Sequence, residues 1–177
     1  FIGGFGLGIA GFIYQTVFKN PLASPDIAGV SSGASTGAAF AIVFISSYNI
    51  TISLAAFAGG IIALLITLIT ANIIPGKNSY TIVLTGIAIH SVAQTLLMIL
   101  KLAADPEKQL ASIEYWIMGS LNGVSIDSIL IPFIITLAGT IILVILYRQT
   151  LILSFDEDEA ALLGVNVSVM QIIILIT

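Results

Sequence analysis

The chain carries a single histidine, His90, inside a stretch from 78 to 100 that holds no charged residue. Gln94 follows four positions later, so on a helix both side chains share a face with Ile87, Ser91 being offset. An imidazole within a membrane span is a candidate for a proton relay or a ligand site. One imidazole does not make a metal site, and its span offers no carboxylate, so the relay pattern fails. Helix packing and the lining of a pathway are the readings that remain. Gln15 and Asn72 are the other polar residues within apolar runs. The absence of Cys excludes a disulfide framework, thiolate zinc, iron–sulfur clusters and Cys nucleophiles. Gly76-Lys77-Asn78 lacks the upstream glycine and the following Ser/Thr of a P-loop, and no HExxH occurs. No catalytic set, metal site or cofactor site is legible. If ATP drives this protein, another chain binds it.

Two further segments have unusual residue types at unusual spacing. The first runs from Lys19 to Ala34, with Pro21 and Pro25 four apart and then Gly29-Val30-Ser31-Ser32-Gly33-Ala34. The prolines stop a preceding helix and stiffen a turn, and Ser31 or Ser32 is placed to cap the next helix. The second is Leu151–Val167, where Asp156, Glu157, Asp158 and Glu159 precede an apolar stretch through Leu163 to Gly164. Acids at a helix start suit its positive dipole end, and Gly164 is a natural C-terminal stop. Such a helix is either a solvated connector or a docking element for a soluble partner.

The elements that must position these residues follow from composition. Of the 177 residues, 58% are hydrophobic and 8% charged, against about 45–50% and about 25% in soluble domains. Five Lys/Arg against nine Asp/Glu give a net charge of −4, which leaves no basic patch for nucleic acid. Residues 1–18, 27–76, 128–147 and 160–177 are also uncharged. A span needs roughly 20 apolar residues, so the run 27–76 holds two spans, with a turn at Ser46-Ser47-Tyr48-Asn49. Runs such as Ile61-Ile62-Ala63-Leu64 do not alternate as barrel strands do. The expected fold is all-α, a polytopic bundle of about six membrane spans, two of them truncated. Those spans fall at 1–17, 31–46, 51–73, 80–103, 127–147 and from about 168. A short helix near 112–120 and a polar segment 148–166 complete the expectation. The whole of 1–177 reads as part of one transmembrane domain, an internal piece of a longer chain. Lys19, Lys77 and Arg148 fall on one membrane face and Lys101 and Lys108 on the other, a vote for the first face as cytoplasmic. Gly4 with Gly8, and Gly29, Gly33 and Gly37 in series, predict close helix packing, within the subunit or between two subunits.

The segment Lys19-Asn20-Pro21-Leu22-Ala23-Ser24-Pro25 with Gly29-Val30-Ser31-Ser32-Gly33-Ala34 resembles the signature of the FecCD-type permeases. These are membrane subunits of ATP-binding-cassette importers for ferric siderophores, haem and cobalamin. Leu84-Thr85-Gly86-Ile87-Ala88 is similar to the family's LAGIA. Tyr115 to Leu121 resembles its FWLMGSL, and Leu153-Ser154 with Glu157 to Val165 resembles its LSLGDE-A--LGV. The resemblance covers the chain in order and about half of a family subunit. It implies that Asn20 and Leu22 form a constriction at the cytoplasmic mouth of the pathway, with Ser79 and Tyr80 as a neighbouring gate. It makes Asp156–Val165, including Glu157, Asp158, Glu159, Leu163 and Gly164, a coupling helix seated on an ATPase subunit. The helix around Trp116 is then external, near a docked binding protein. Asp156 stands where the family usually has Gly, and Ala161 where a basic residue is common, while His90 matches no family motif.

The implied partners are ATPase subunits, an extracytoplasmic substrate-binding protein, a second permease subunit (a copy or a paralogue) and the lipid of a prokaryotic plasma membrane. No cofactor and no enzymatic activity are implied. Nearly uncharged spans suit a chelated cargo, an iron chelate before haem or cobalamin, and suit a bare metal ion poorly. The rivals are an ATP-independent carrier, which commonly needs ionisable residues at mid-membrane and finds only His90 and Gln94, and an intramembrane enzyme, for which no catalytic set exists.

Overall fold

A computed structural model describes residues 1–21, 23–45, 48–74, 79–120, 126–155, 157–162, 164 and 167–177. At 79, 80, 126–128, 157, 158, 161 and 168 it describes the backbone only. The described elements are all α-helical: α1 Ile2–Phe18, α2 Val30–Phe44, α3 Asn49–Ile73, α4 Ser79–Ala103, α5 Gln109–Met118, α6 Ile126–Ile145, α7 Tyr147–Ile152, α8 Glu157–Leu162 and α9 Val167–Ile176. Each expected span meets a helix within a few residues. Among the described residues Asn49–Ile73 and Thr81–Ala103 are long and apolar enough to cross a bilayer. The polar segment 148–166 opens with the short α7, where Ile152 and Leu153 are buried.

The helices fall into two compact units, Pro25–Leu121 and Phe1–Ser24 with Asn122–Thr177. In the first, α2, α3 and α4 pack on one another and α5 lies on α2. Alanine and glycine dominate the contact surfaces, because in lipid helices gain most from close backbone approach. A Cβ built on Gly33 would lie 2.6 Å from the Gly59 carbonyl oxygen and 2.5 Å from Ala63 Cβ. One on Gly37 would run into the Ala55 carbonyl, and one on Gly59 into the Gly33 carbonyl. α2 and α3 therefore touch backbone to backbone. Towards α4, Thr36 Oγ1 lies 2.9 Å from the carbonyl oxygens of both Ser32 and Ala93, so one hydroxyl joins two helices. An apolar cluster of Ala38, Ala39, Ile42, Ile52, Leu97 and Ile113 closes the far end.

In the second unit α1 packs against α6, α7 and α9. Tyr14 and Phe18 meet edge to face at 5.4 Å and 72°. A crevice of about 180 Å³ runs between helices α1, α6 and α9, lined by Gly6, Ala10, Tyr14, Thr136, Gly139 and Thr140 among others. Gly4 and Gly8 have no described atom within 4 Å of a built Cβ, so that glycine pair packs against none of the described residues.

Candidate functional site

α1 does not end at a proline. Lys19 takes the left-handed conformation (φ 49°, ψ 36°). Its N–H donates to Thr16 O at 3.3 Å, and the Asn20 N–H donates to Gln15 O at 3.1 Å. These two bonds are a Schellman stop, and Pro21 follows where prolines commonly follow one. Asn20 is half-buried, and its carbonyl accepts the Ala23 N–H at 3.0 Å. Leu22 lies outside the described residues.

The capping expectation fails at the next helix. α2 starts from Gly29, itself left-handed at φ 83°, with no side-chain cap. Ser32 Oγ donates to the Gly29 carbonyl at 3.0 Å instead of accepting a backbone N–H, and Ser31 O receives the Ser35 hydroxyl at 2.9 Å. The helix begins one turn too early for either serine to serve as its cap.

The stretch from Pro25 to Gly29 is non-helical, exposed at Asp26 and enclosed at Ala28 and Gly29. Ala28 is 2% exposed. Its carbonyl accepts the hydroxyl of fully buried Thr67 at 3.0 Å. A Cβ on Gly86 would strike the Ile27 carbonyl, and one on Gly29 would sit 3.4 Å from the His90 backbone nitrogen. Asp26 O and Pro25 O take the N–H groups of Gly29 and Val30 at 2.9 and 3.2 Å. Thr67 is six residues from the end of α3 at Ile73, and Gly86 seven from the start of α4 at Ser79. At 1.5 Å per residue the segment therefore docks about 10 Å inside the ends of its neighbours. Irregular backbone at that depth needs protein partners for its polar groups; Thr67 supplies one to Ala28 O, and Gly86 leaves room for the Ile27 carbonyl. α2, with 15 residues, is only about 22 Å long; this segment makes up the missing depth.

His90 is half-buried one turn beyond Gly86, its backbone against Gly29. Gln94 is exposed on the next turn, flanked by exposed Ser91 and Thr95. The Ser91 and Thr95 hydroxyls donate to Ile87 O (3.0 Å) and Ser91 O (2.9 Å). Their protons are committed to their own helix, so Gln94 is the stronger polar group on that face. Ser79 and Tyr80 open α4, their side chains outside the described residues.

α8 forms over Glu157–Leu162 as its acids and Gly164 suggest, and Gly164 is left-handed at φ 77°. Asp156 and Leu163 lie outside the described residues, as do the side chains of Glu157 and Asp158. Glu159 is exposed, Ala160 is buried, and Leu162 is 88% exposed.

Sequence reasoning missed the long-range partners Thr36, Thr67 and Gly86, and it passed over Gln109. That glutamine sits at the foot of α5, in a stretch read as a polar lead-in. Its Oε1 accepts the Asp105 N–H at 2.9 Å, and its Nε2 lies 3.3 Å from both Ile42 O and Val43 O.

The FecCD transport family model matches residues 1–177. The chain is 32% identical over 169 residues to the molybdate import system permease protein MolB of Haemophilus influenzae, covering 95% of this chain and 50% of that one. It is 34% identical to the cobalamin import system permease protein BtuC of Halobacterium salinarum (93% and 44% covered). It is 31% identical to the ferric enterobactin transport system permease protein FepG of Escherichia coli (98% and 52%). Among solved structures, an ABC transporter provisionally assigned to the metal-chelate type, in an inward-facing conformation, matches with TM-score 0.81 and 29% identity over 99% of this chain and 56% of that one. The chain spans about half the length of the relatives it matches.

Proposed function

The chain belongs to the FecCD transport family, and we propose that it is part of the membrane-spanning permease of an ATP-binding-cassette importer. The match of the family over every residue of the chain carries this reading. Under it, 1–177 is part of one transmembrane permease domain in a multi-pass protein of the prokaryotic plasma membrane. The partners are two ATPase subunits, an extracytoplasmic binding protein and a second permease subunit, a copy or a paralogue. This chain does no covalent chemistry. Nucleotide-driven closure of the ATPases displaces α8 and its flanks, and the bundle alternates between outward and inward openings.

The roles follow residue by residue. Asn20 and Leu22 form the inner constriction, and Ser79 and Tyr80 at the head of α4 form a gate. His90 and Gln94, joined by Ser91 and Thr95, line the path as weak polar contacts. Asp156 to Gly164 is the element that meets the ATPase; exposed Leu162 supplies an apolar contact and Glu157, Asp158 and Glu159 the polar ones. The cargo is an iron chelate, with haem or cobalamin as alternatives. Support for a large, loosely held cargo is the charge-free stretch from 27 to 76, which offers a bare cation no carboxylate.

The test is purification of the tagged full-length protein in mild detergent, with mass spectrometry of what accompanies it. Uptake of labelled ferric chelate, cobalamin, haem and molybdate by proteoliposomes of the complex follows. A soluble ATPase at one copy per permease, with ATP-dependent chelate uptake, is the expected outcome. A permease that is reproducibly alone refutes the importer; uptake of molybdate alone refutes the cargo.

A further inference from the structure

We propose that Gln109 is a positioning residue, which locks the external helix α5 to the outer end of α2 and carries displacements of α5 to the Pro25–Gly29 segment at the inner end. The inference rests on the importer reading for what pushes α5; the lock itself does not.

Carbonyls in the last turn of a helix have no intrahelical partner and must find one elsewhere. α2 ends at Phe44, and the Gln109 amide reaches the carbonyls of both Ile42 and Val43 at 3.3 Å, a three-centre contact. The same side chain accepts the Asp105 N–H at 2.9 Å. Asp105 in turn organises the entry to α5, its Oδ1 accepting from Glu107 N (2.9 Å) and Lys108 N (3.1 Å) and its carbonyl from Gln109 N (3.0 Å). One amide thus fastens the first turn of α5 to the last turn of α2.

Leu110 and Trp116 of α5 pack on the cluster around Ile42 and Leu97, and the remaining attachments among the described residues do not fix its register either. Ile113, 1% exposed, seats in the cluster with Ile42 and Leu97, but apolar contact is not directional. Lys101 Nζ meets Glu114 Oε1 at 2.9 Å with the two side chains 28% and 50% exposed, a geometry in which ion pairs hold little. Gln109 is the directional contact among them. Beyond it, α2 has no slack: its backbone is seated on α3 through Gly33, Gly37 and Gly59, and Thr36 joins it to α4. A load on the outer face of α5, where Tyr115 and Met118 are exposed, therefore passes along α2 to Gly29 and the Pro25–Gly29 segment. Among the described residues the Gln109 contact is the directional link between α5 and α2 in that line.

The experiment uses the full-length transporter complex in nanodiscs, with spin labels at exposed Ser112 on α5 and exposed Phe44 at the end of α2. Pulsed EPR reads their distance distribution. Gln109→Ala is expected to broaden it, and Gln109→Glu as well, since a carboxylate still accepts the Asp105 N–H but offers the α2 carbonyls no proton. Glu114→Gln should leave it unchanged. In parallel, the ratio of ATP hydrolysis with and without the binding protein should fall about fivefold in Gln109→Ala, what one net hydrogen bond is worth as a population ratio, and stay unaltered in Glu114→Gln. An unchanged distribution in Gln109→Ala overturns the lock. A broadened distribution with full stimulation overturns the transmission. A complex without ATPase activity refutes the importer reading and the transmission with it, while the EPR result still decides the lock.

Discussion

Adjacent glycines on α3 offer a test of the backbone seam in which one substitution has two outcomes. A methyl at Gly59 would run into the Gly33 carbonyl oxygen and sit 3.1 Å from Gly37 Cα. Carbon and carbonyl oxygen approach to about 3.3 Å at closest, so α2 must retreat from α3 by about 1 Å, because a backbone carbonyl cannot swing aside. A gap of that order forfeits a quarter to a half of each dispersion contact, and about 30 atom pairs at ~0.1–0.2 kcal/mol then lose about 1–3 kcal/mol. Alanine returns at most about 1 kcal/mol in helix propensity. From the middle of that range, Gly59→Ala should destabilise by ~1 kcal/mol. At Gly60 the methyl would meet Val30 Cγ1 at 3.3 Å, Val30 O at 3.4 Å and Ala34 Cβ at 3.7 Å. These are tight but tolerable, and the propensity gain cancels them, so Gly60→Ala should lie within about 0.5 kcal/mol of the parent. SDS titration of the purified protein in detergent micelles, followed by circular dichroism, separates the two. Equal midpoints for Gly59→Ala and the parent would refute the seam.

Thr67→Val keeps the volume and removes the proton given to the Ala28 carbonyl; it should cost ~1–2 kcal/mol and accelerate amide hydrogen exchange across 26–30 while leaving α3 protected. The pair Glu157→Lys with Glu159→Lys should abolish ATP-dependent uptake with the protein still inserted at parental levels in membrane fractions; normal uptake in that variant would remove α8 from the role proposed for it.

Helices were legible because a membrane span is a length of apolar residues, and length is written locally. Stops were legible in kind but not always in agent: Gly164 does turn left-handed as read, whereas α1 is closed by Lys19 and not by the prolines behind it. The motif of two glycines four apart was only half legible. Gly33 and Gly37 do sit against a partner, but nothing in their spacing points to Gly59 and Ala63, and Gly4 and Gly8 carry the same spacing against none of the described residues. Small residues state that a close approach is permitted, not with whom. The hidden part of the site is long-range by construction. Thr67 lies 39 residues from the carbonyl it serves and Gln109 lies 66 and 67 from its two, and no local pattern distinguishes such a threonine from one bonded to its own helix.

The Pro25–Gly29 stretch also sets an order of events during biogenesis. Emerging from the ribosome before α3 and α4 exist, it has an Ala28 carbonyl whose Thr67 partner is still to come, and lipid offers it nothing. Its seat is made by Thr67 and Gly86, residues synthesised some forty to sixty positions later. The stretch must therefore wait at the water-facing surface while the α2–α3 pair inserts, and sink into place only when α4 arrives. The last step of assembly is then the burial of Ala28 and Gly29.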